Sequence, residues 1–196
     1  MIAGIAGYLH VQSAAPKLAP TPAPIVQPVV VQTTVTTGQR ISYLPGHAPV
    51  LDLPGGKRQP ITSLLNVGHK LGYGEFVWDD TGVPAGPVWV RVDLSRQLLS
   101  VFRGRHEIGT AVIIYGANGK LTPHGQFRVL EKDKDHRSQT YDAAMPYMLR
   151  LTNTGIALHA STVRERHATH GCIGTPIEFA RHLFETMRVG DPVLVV

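Results

Sequence analysis

Regular alternation of apolar and polar positions begins at Pro87. VWVRVDL (88–94) alternates as a strand with one buried face does, and QLLSVF (97–102) resumes the pattern after a short break at Ser95–Arg96. RGR (103–105) reads as a turn, EIGTAVIIY (107–115) as another strand and GANGKLTPHG (116–125) as a turn-rich loop. QFRVLEK (126–132), YMLRL (147–151) and IALHA (156–160) read as further strands, the last two around TNTG, and DPVLVV (191–196) closes the chain as one more. This many short β-branched runs with glycine-bearing turns predicts a mostly β domain, a β-sandwich or barrel-like assembly. One helix stands out. Thr175 is placed to cap it, Pro176 suits its first position and Glu178 completes a capping box. Ile177, Ala180, Leu183, Phe184 and Met187 then share one face, and Gly190 supplies the stop.

Ahead of Pro87 the patterning fades. Residues 39–86 are rich in Gly and Pro (YLPGHAPVLDLPGGKRQP, GVPAGP) and read as an irregular N-terminal segment that packs on the main domain, 87–196. From Ser13 to Thr37 the only charge is Lys17, and five prolines interrupt the stretch, so residues 13–38 read as an extended Pro/Thr-rich linker; a stray strand in VVVQTTVTT is the lesser reading. Residues 1–12 carry a short apolar run, Ile2 to Leu9, without a basic leader and at about half the ~18–20 residues of a spanning helix. A remnant signal or anchor and a disordered tail both fit it. No internal repeat is evident.

Composition narrows the function classes. With 43% hydrophobic and 17% charged residues the chain is globular rather than disordered. Its net charge is +5, but the 19 basic residues are scattered without a polybasic run, which does not support a nucleic-acid groove. A weakly basic surface suits an anionic polymer such as cell wall, or a membrane face. The single cysteine excludes an intrachain disulfide framework.

That cysteine lies in ALHASTVRERHATHGCIGTP (157–176), between the strand ending near His159 and the helix. Three readings fit Cys172. A lone thiol is often a small buried hydrophobe. His167, His170 and Cys172 are close enough in sequence to suggest zinc, although a structural site wants four ligands in paired spacings and no second cysteine exists. The third reading is catalysis: a free thiol is mostly protonated at neutral pH and needs a base, with a helix N-terminus as a further aid to the thiolate. His159, on a rigid strand, is the favoured base; His170 stands two residues from the thiol in a turn, and His167 sits in the polar part of the loop. Gly171 and Gly174 let the backbone bend so that amides face a reacting carbonyl oxygen, donors commonly worth about 2.7–4 kcal/mol each.

At these residues the sequence resembles the L,D-transpeptidase family, the YkuD-type catalytic domain. The family signature of a histidine, a gap, and Ser/Thr-His-Gly-Cys before an apolar residue reads here as His159, then Thr169-His170-Gly171-Cys172-Ile173. The short gap is similar to a compact-loop proteobacterial branch, as is LTPHGQFRVLEKDKDHRSQTYDAAMPYMLRLTNTGIALHAS (121–161), and VDLSRQLLSVFRGRHEI resembles the hairpin that opens these domains.

The resemblance implies an acyl-transferring enzyme of the periplasm or cell envelope that acts on peptidoglycan stem peptides and needs no metal or organic cofactor. It implies Cys172 as nucleophile on the amide after the third stem residue, a diamino acid, with release of D-alanine. His159 is then general base and acid, and backbone amides of His170, Gly171 and Cys172 form the oxyanion site. The acyl group passes to an amine, or to water in a carboxypeptidase. Met145, Tyr147 and Thr169 are candidate substrate-binding residues. Two departures stand out. Where the family commonly has Arg after Cys-Ile, this chain has Gly174, and its loop is unusually charged; Arg164 and Arg166 are the residues that offer a cation in its place. A catalytically weak wall-binding protein on the same fold therefore stays open as an alternative. A linker over 13–38 is also suited to tether the domain to a membrane through its N-terminus.

Overall fold

A computed structural model of the chain describes residues 40–43, 46–117 and 119–196. The expected tail and linker, 1–12 and 13–38, lie outside the described residues.

Among the described residues, five short strands precede Pro87: β1 (Arg40–Ser42), β2 (Val50–Asp52), β3 (Arg58–Pro60), β4 (Ser63–Leu65) and β5 (Phe76–Trp78). The patterned region then supplies β6 (Val88–Asp93), β7 (Leu98–Arg103), β8 (His106–Val112), β9 (Gly125–Arg128), β10 (Glu131–Asp133), β11 (Arg137–Ser138), β12 (Ala143–Ala144), β13 (Met148–Arg150), β14 (Ala157–Ala160) and β15 (Ile173–Thr175). Helix α1 (Ile177–Thr186) and strand β16 (Pro192–Val195) end the chain.

The main sheet has the order β1-β4-β8-β7-β6-β16-β9, with β5 also paired to β8. A second sheet runs β10-β13-β14-β15, and β11–β12 and β2–β3 form separate hairpins. The run expected as one strand over 126–132 divides at Val129–Leu130, so that β9 edges the main sheet and β10 the second. Between the sheets lies one core. Val90, Val92, Leu99, Val101 and Ile113 enter it from the main sheet, Leu149, Leu158 and Ile173 from the second, and Phe179, Leu183 and Met187 from the helix. Among the described residues the architecture is mostly β, two facing sheets with one helix packed between them, as the alternating pattern implied.

Two expectations need correction. The segment before Pro87 is more ordered than its composition suggests. β5 pairs with β8 and brings Phe76 and Trp78 edge-on to Phe179 at 5.7 and 5.5 Å, while β1 and β4 extend the same sheet. Gly109 makes room for this, since a Cβ there would lie 2.7 Å from Trp78 Cζ3. The helix start also shifts. Thr175 ends β15 instead of capping α1; Pro176 is the N-cap and provides no side-chain hydrogen bond. Ladder pairing of Thr175 with Ala160 keeps its backbone extended, and its hydroxyl faces the His159 carbonyl at 3.4 Å. The buried helix face is Phe179, Ala180 and Leu183, continued by Met187 at the C-cap, with Ile177 exposed. The helix stops at Thr186, ahead of Gly190.

Candidate active site

β14 and β15 run parallel, with His159 opposite Gly174 and Leu158 opposite Ile173. Residues two apart on a strand face the same side. Leu158 and Ile173 enter the core, so His159, Ala157, Gly174 and Cys172, which immediately precedes β15, share the other face. The pairings of Leu149 with Leu158 and of Met148 with Asp133 add Met148 and Asp133 to it. Packing agrees: Cys172 lies against Met145, Met148 and Ala157. The sequence spaces His159 and Cys172 thirteen positions apart; adjacent strands in parallel register bring them to one surface.

The thiol is half-buried and donates a weak hydrogen bond to the Gly155 carbonyl at 3.5 Å. Burial pushes its pKa up, and the Ala157 backbone amide pulls in the opposite sense. The expected aid from the helix N-terminus is missing. β15 and Pro176 separate Cys172 from α1 by roughly 13 Å at about 3.3 Å per extended residue, and a helix terminus acts over about one turn.

His159 is buried, and its Nδ1 lies 2.7 Å from the Ala160 carbonyl oxygen. A carbonyl only accepts, so Nδ1 carries the proton and Nε2 keeps its lone pair in the neutral ring. Burial lowers this histidine's pKa, opposed by the hydrogen bond to Ala160 and reinforced by the nearby His136. His136 is itself held by Asp133 at 3.1 Å. Both shifts favour the uncharged forms, a thiol and a neutral imidazole on the same face.

The turn before the thiol is stitched from both sides. Thr169 donates its amide to the Tyr115 carbonyl at 3.0 Å, while its hydroxyl donates to the Cys172 carbonyl and accepts the Gly171 amide at 3.2 Å. Thr122 donates to the Gly171 carbonyl and accepts the Gly116 amide, both at 2.9 Å. Gly171 has φ +109°, and a Cβ there would lie 2.6 Å from Ile156 Cδ1. His170 is exposed and stacks on Tyr141 of the β11–β12 hairpin, with centroids 4.5 Å apart and planes 15° apart. Lys120 donates to the Tyr141 hydroxyl.

The candidate residues separate on this geometry. Met145 is buried against the cysteine, and Thr169 shapes the turn. The Tyr147 ring meets Phe184 of α1 edge-on at 5.8 Å. Arg164 and Arg166 are exposed on the loop and form no ion pair among the described residues. His167 is likewise exposed, and no group of three His, Cys, Asp or Glu side chains among the described residues converges to hold a metal. Sequence reasoning gave no role to Met148, Thr122, Tyr141 or the Gly155 carbonyl. All four stand inside the segment quoted for the resemblance, but their approach to the cysteine and its turn depends on pairings invisible along the chain.

A family model described as the L,D-transpeptidase catalytic domain, YkuD, matches residues 87–195. No curated protein matches the chain. Among solved structures, the L,D-transpeptidase of Stackebrandtia nassauensis is 27% identical, with a TM-score of 0.53 over 58% of this chain and 57% of that one. A cysteine-to-serine mutant of the Enterococcus faecium L,D-transpeptidase is 25% identical, with a TM-score of 0.52 over 57% and 50%. The avibactam carbamoyl enzyme of Ldtfm is 26% identical, with a TM-score of 0.50 over 58% and 49%. The chain thus spans about half the length of these proteins.

Proposed function

Because the chain belongs to the L,D-transpeptidase (YkuD) catalytic-domain family, we propose that it transfers acyl groups between peptidoglycan stem peptides through a thioester at Cys172. One observation carries this reading: His159, whose Nδ1 is engaged by the Ala160 carbonyl so that Nε2 is unprotonated, lies on the sheet face that also bears the Cys172 thiol.

In the proposed reaction Sγ attacks the carbonyl carbon of the amide after the third stem residue, and its proton passes to His159 Nε2. Neither group starts charged, so proton transfer accompanies attack instead of preceding it. The oxyanion is met by the backbone amides of His170 and Cys172, since the Gly171 amide is committed to Thr169. Collapse breaks the C–N bond, and His159 returns the proton to the departing amine of D-alanine. An acceptor amine then attacks the thioester, gives its proton to His159 and restores the thiol; water in that role makes the protein a carboxypeptidase. No metal or organic cofactor enters these steps. The reading carries a periplasmic or cell-envelope location, where the polymer is, and a membrane tether through residues 13–38.

The test is intact-mass spectrometry of the protein incubated with tetrapeptide muropeptides, beside Cys172→Ala. Loss of D-alanine from the substrate and a thioester adduct, both absent in the variant, are expected, and the ratio of dimers to tripeptides reports amine against water. Ldtfm forms a carbamoyl enzyme with avibactam, so the same adduct is expected on Cys172. A folded protein that forms neither adduct would overturn the proposal in favour of a wall-binding protein on this fold.

A further inference from the structure

The catalytic face does not end at β15. Ile114 and Gly174 exchange both backbone hydrogen bonds, at 2.8 and 3.0 Å, in an antiparallel bridge that joins the second sheet to the end of β8. Bridged residues point the same way, so the face bearing His159 and Gly174 continues through Ile114 to Val112 and Thr110, and across β7 to Leu98. Ile114, Val112 and Val163 form one apolar cluster with Leu98 and Leu71. Beyond Val163, at the root of the charged loop, this strip becomes the floor of an open groove of about 780 Å³.

One wall of the groove is the segment 67–73, and the other is the turn between β6 and β7 with Ser95, Arg96 and Gln97. Its lining includes His69, Lys70 and Arg96 and no carboxylate. Two acids that bind its walls are already engaged: Glu75 accepts the Gly72 amide and meets His69, and Asp93 accepts from Arg91, Ser95 and the Arg96 amide. Lys70 forms no ion pair among the described residues, and Arg96 stands 3.9 Å from Asp93 with 76% of its side chain exposed. Segment 67–73 also lies outside the residues that match the family model, so this wall belongs to the chain's own N-terminal segment.

We propose that this groove is a second binding site for peptidoglycan, taking a carboxylate-bearing stem peptide on Lys70 and Arg96 while the stem that reacts occupies Cys172. The assignment rests on the proposed function for its choice of polymer. It is supported by the continuity of the apolar strip with the catalytic face and by the complementary charge. An apolar floor suits the alanine methyl groups and aliphatic stem atoms, and the cationic rim suits the free carboxylates of the stem.

The experiment measures binding of soluble muropeptide dimers to the full chain carrying Cys172→Ala, by titration calorimetry at low and high salt, with and without Lys70→Glu/Arg96→Glu. Expected are at least a tenfold weaker Kd in the charge-reversed protein, a similar loss on amidating the stem carboxylates, and a weaker salt dependence after charge reversal. The same reversal on the wild-type cysteine is expected to leave avibactam carbamoylation within twofold, which also shows that the variant folds. Equal Kd values for the two proteins, or for free and amidated stems, would overturn the groove assignment. If carbamoylation and D-alanine release proceed but no dimer binds, the groove proposal fails and the proposed function stands. If D-alanine release is missing while dimers bind in a charge-dependent way, the proposed function fails and the groove stands.

Discussion

Gly174 sits where three pieces of chain meet. A Cβ there would lie 2.7 Å from Ser161 Cβ and 2.8 Å from Ile114 Cγ1, while the backbone pairs with both His159 and Ile114. Restoring the family arginine is therefore expected to injure the protein. Gly174→Arg forces overpacking of roughly 1–3 kcal/mol, which lowers Tm by about 3–10 °C for a domain of this size and slows carbamoylation of Cys172. A variant as stable and faster than wild type would show that Ser161 and Ile114 yield freely. The departure at Gly174 was legible in sequence, but its cause was not, because Ser161 and Ile114 reach it only through folding.

His159 supports a second prediction at the same scale. Burial, the largest influence, lowers its pKa below the ordinary 6.5, and only the neutral ring accepts the thiol proton. The acid limb of kcat/KM is thus expected to fall below that value, and D-alanine release should persist into mildly acidic buffer. The sign for stability follows: a folded state that binds fewer protons than the unfolded one loses stability as pH falls below about 6.5. Under His159→Asn the acid limb should disappear together with nearly all turnover. A limb at or above 6.5 in wild type would mean that water or a carboxylate reaches the ring.

At the scale of elements, the β11–β12 hairpin is the piece that touches the signature turn from outside. Arg137 binds Asp142 at 2.7 Å within it, and Tyr141 reaches across to stack on His170, two residues before the nucleophile. An aromatic pair of this kind is worth about 0.5–1.5 kcal/mol. Tyr141→Ala is expected to reduce kcat/KM on tetrapeptides by roughly 2–10-fold, with Tm changed by less than about 2 °C because the ring is exposed. Unchanged kinetics would mean that the turn is ordered by Thr122 and Thr169 alone. Strand β7 was readable because buried and half-buried positions alternate along it, and β6, β14 and β16 were readable as short, largely apolar runs bounded by turn residues. The hairpin was not, since its two-residue strands carry Arg, Ser and Ala with no apolar face to read. Thr175 misled for a related reason: its sequence context is that of a cap, but the parallel ladder with β14 decides its conformation.

The whole molecule poses the question of where the folding unit begins. The family match starts at Pro87, and sequence patterning starts there too. The core does not respect that boundary. Phe76 and Trp78 are 1% and 7% exposed, pack edge-on against Phe179, and belong to the same cluster as Val101, Leu158 and Leu183. Arg40 reaches the Asp79 carbonyl at 2.8 Å and Ser63 Oγ at 3.1 Å, binding β1 to the segment around β5. These strands escaped a periodicity reading because they are three residues long and set among Gly and Pro; β8, the partner of β5, is about thirty residues downstream. Losing one buried Phe or Trp side chain alone commonly costs about 3–5 kcal/mol, against a typical total stability of about 5–15 kcal/mol. A chain of residues 87–196 loses both, together with the pairing that covers β8, and is expected to show no cooperative thermal transition, whereas residues 40–196 melt cooperatively. Trp78→Ala in the full chain should lower Tm by roughly 6–20 °C without entering the chemistry at Cys172. If residues 87–196 unfold cooperatively within a few degrees of the longer chain, then the second sheet, α1 and β16 close the core by themselves, and the strands before Pro87 serve the groove and not the fold.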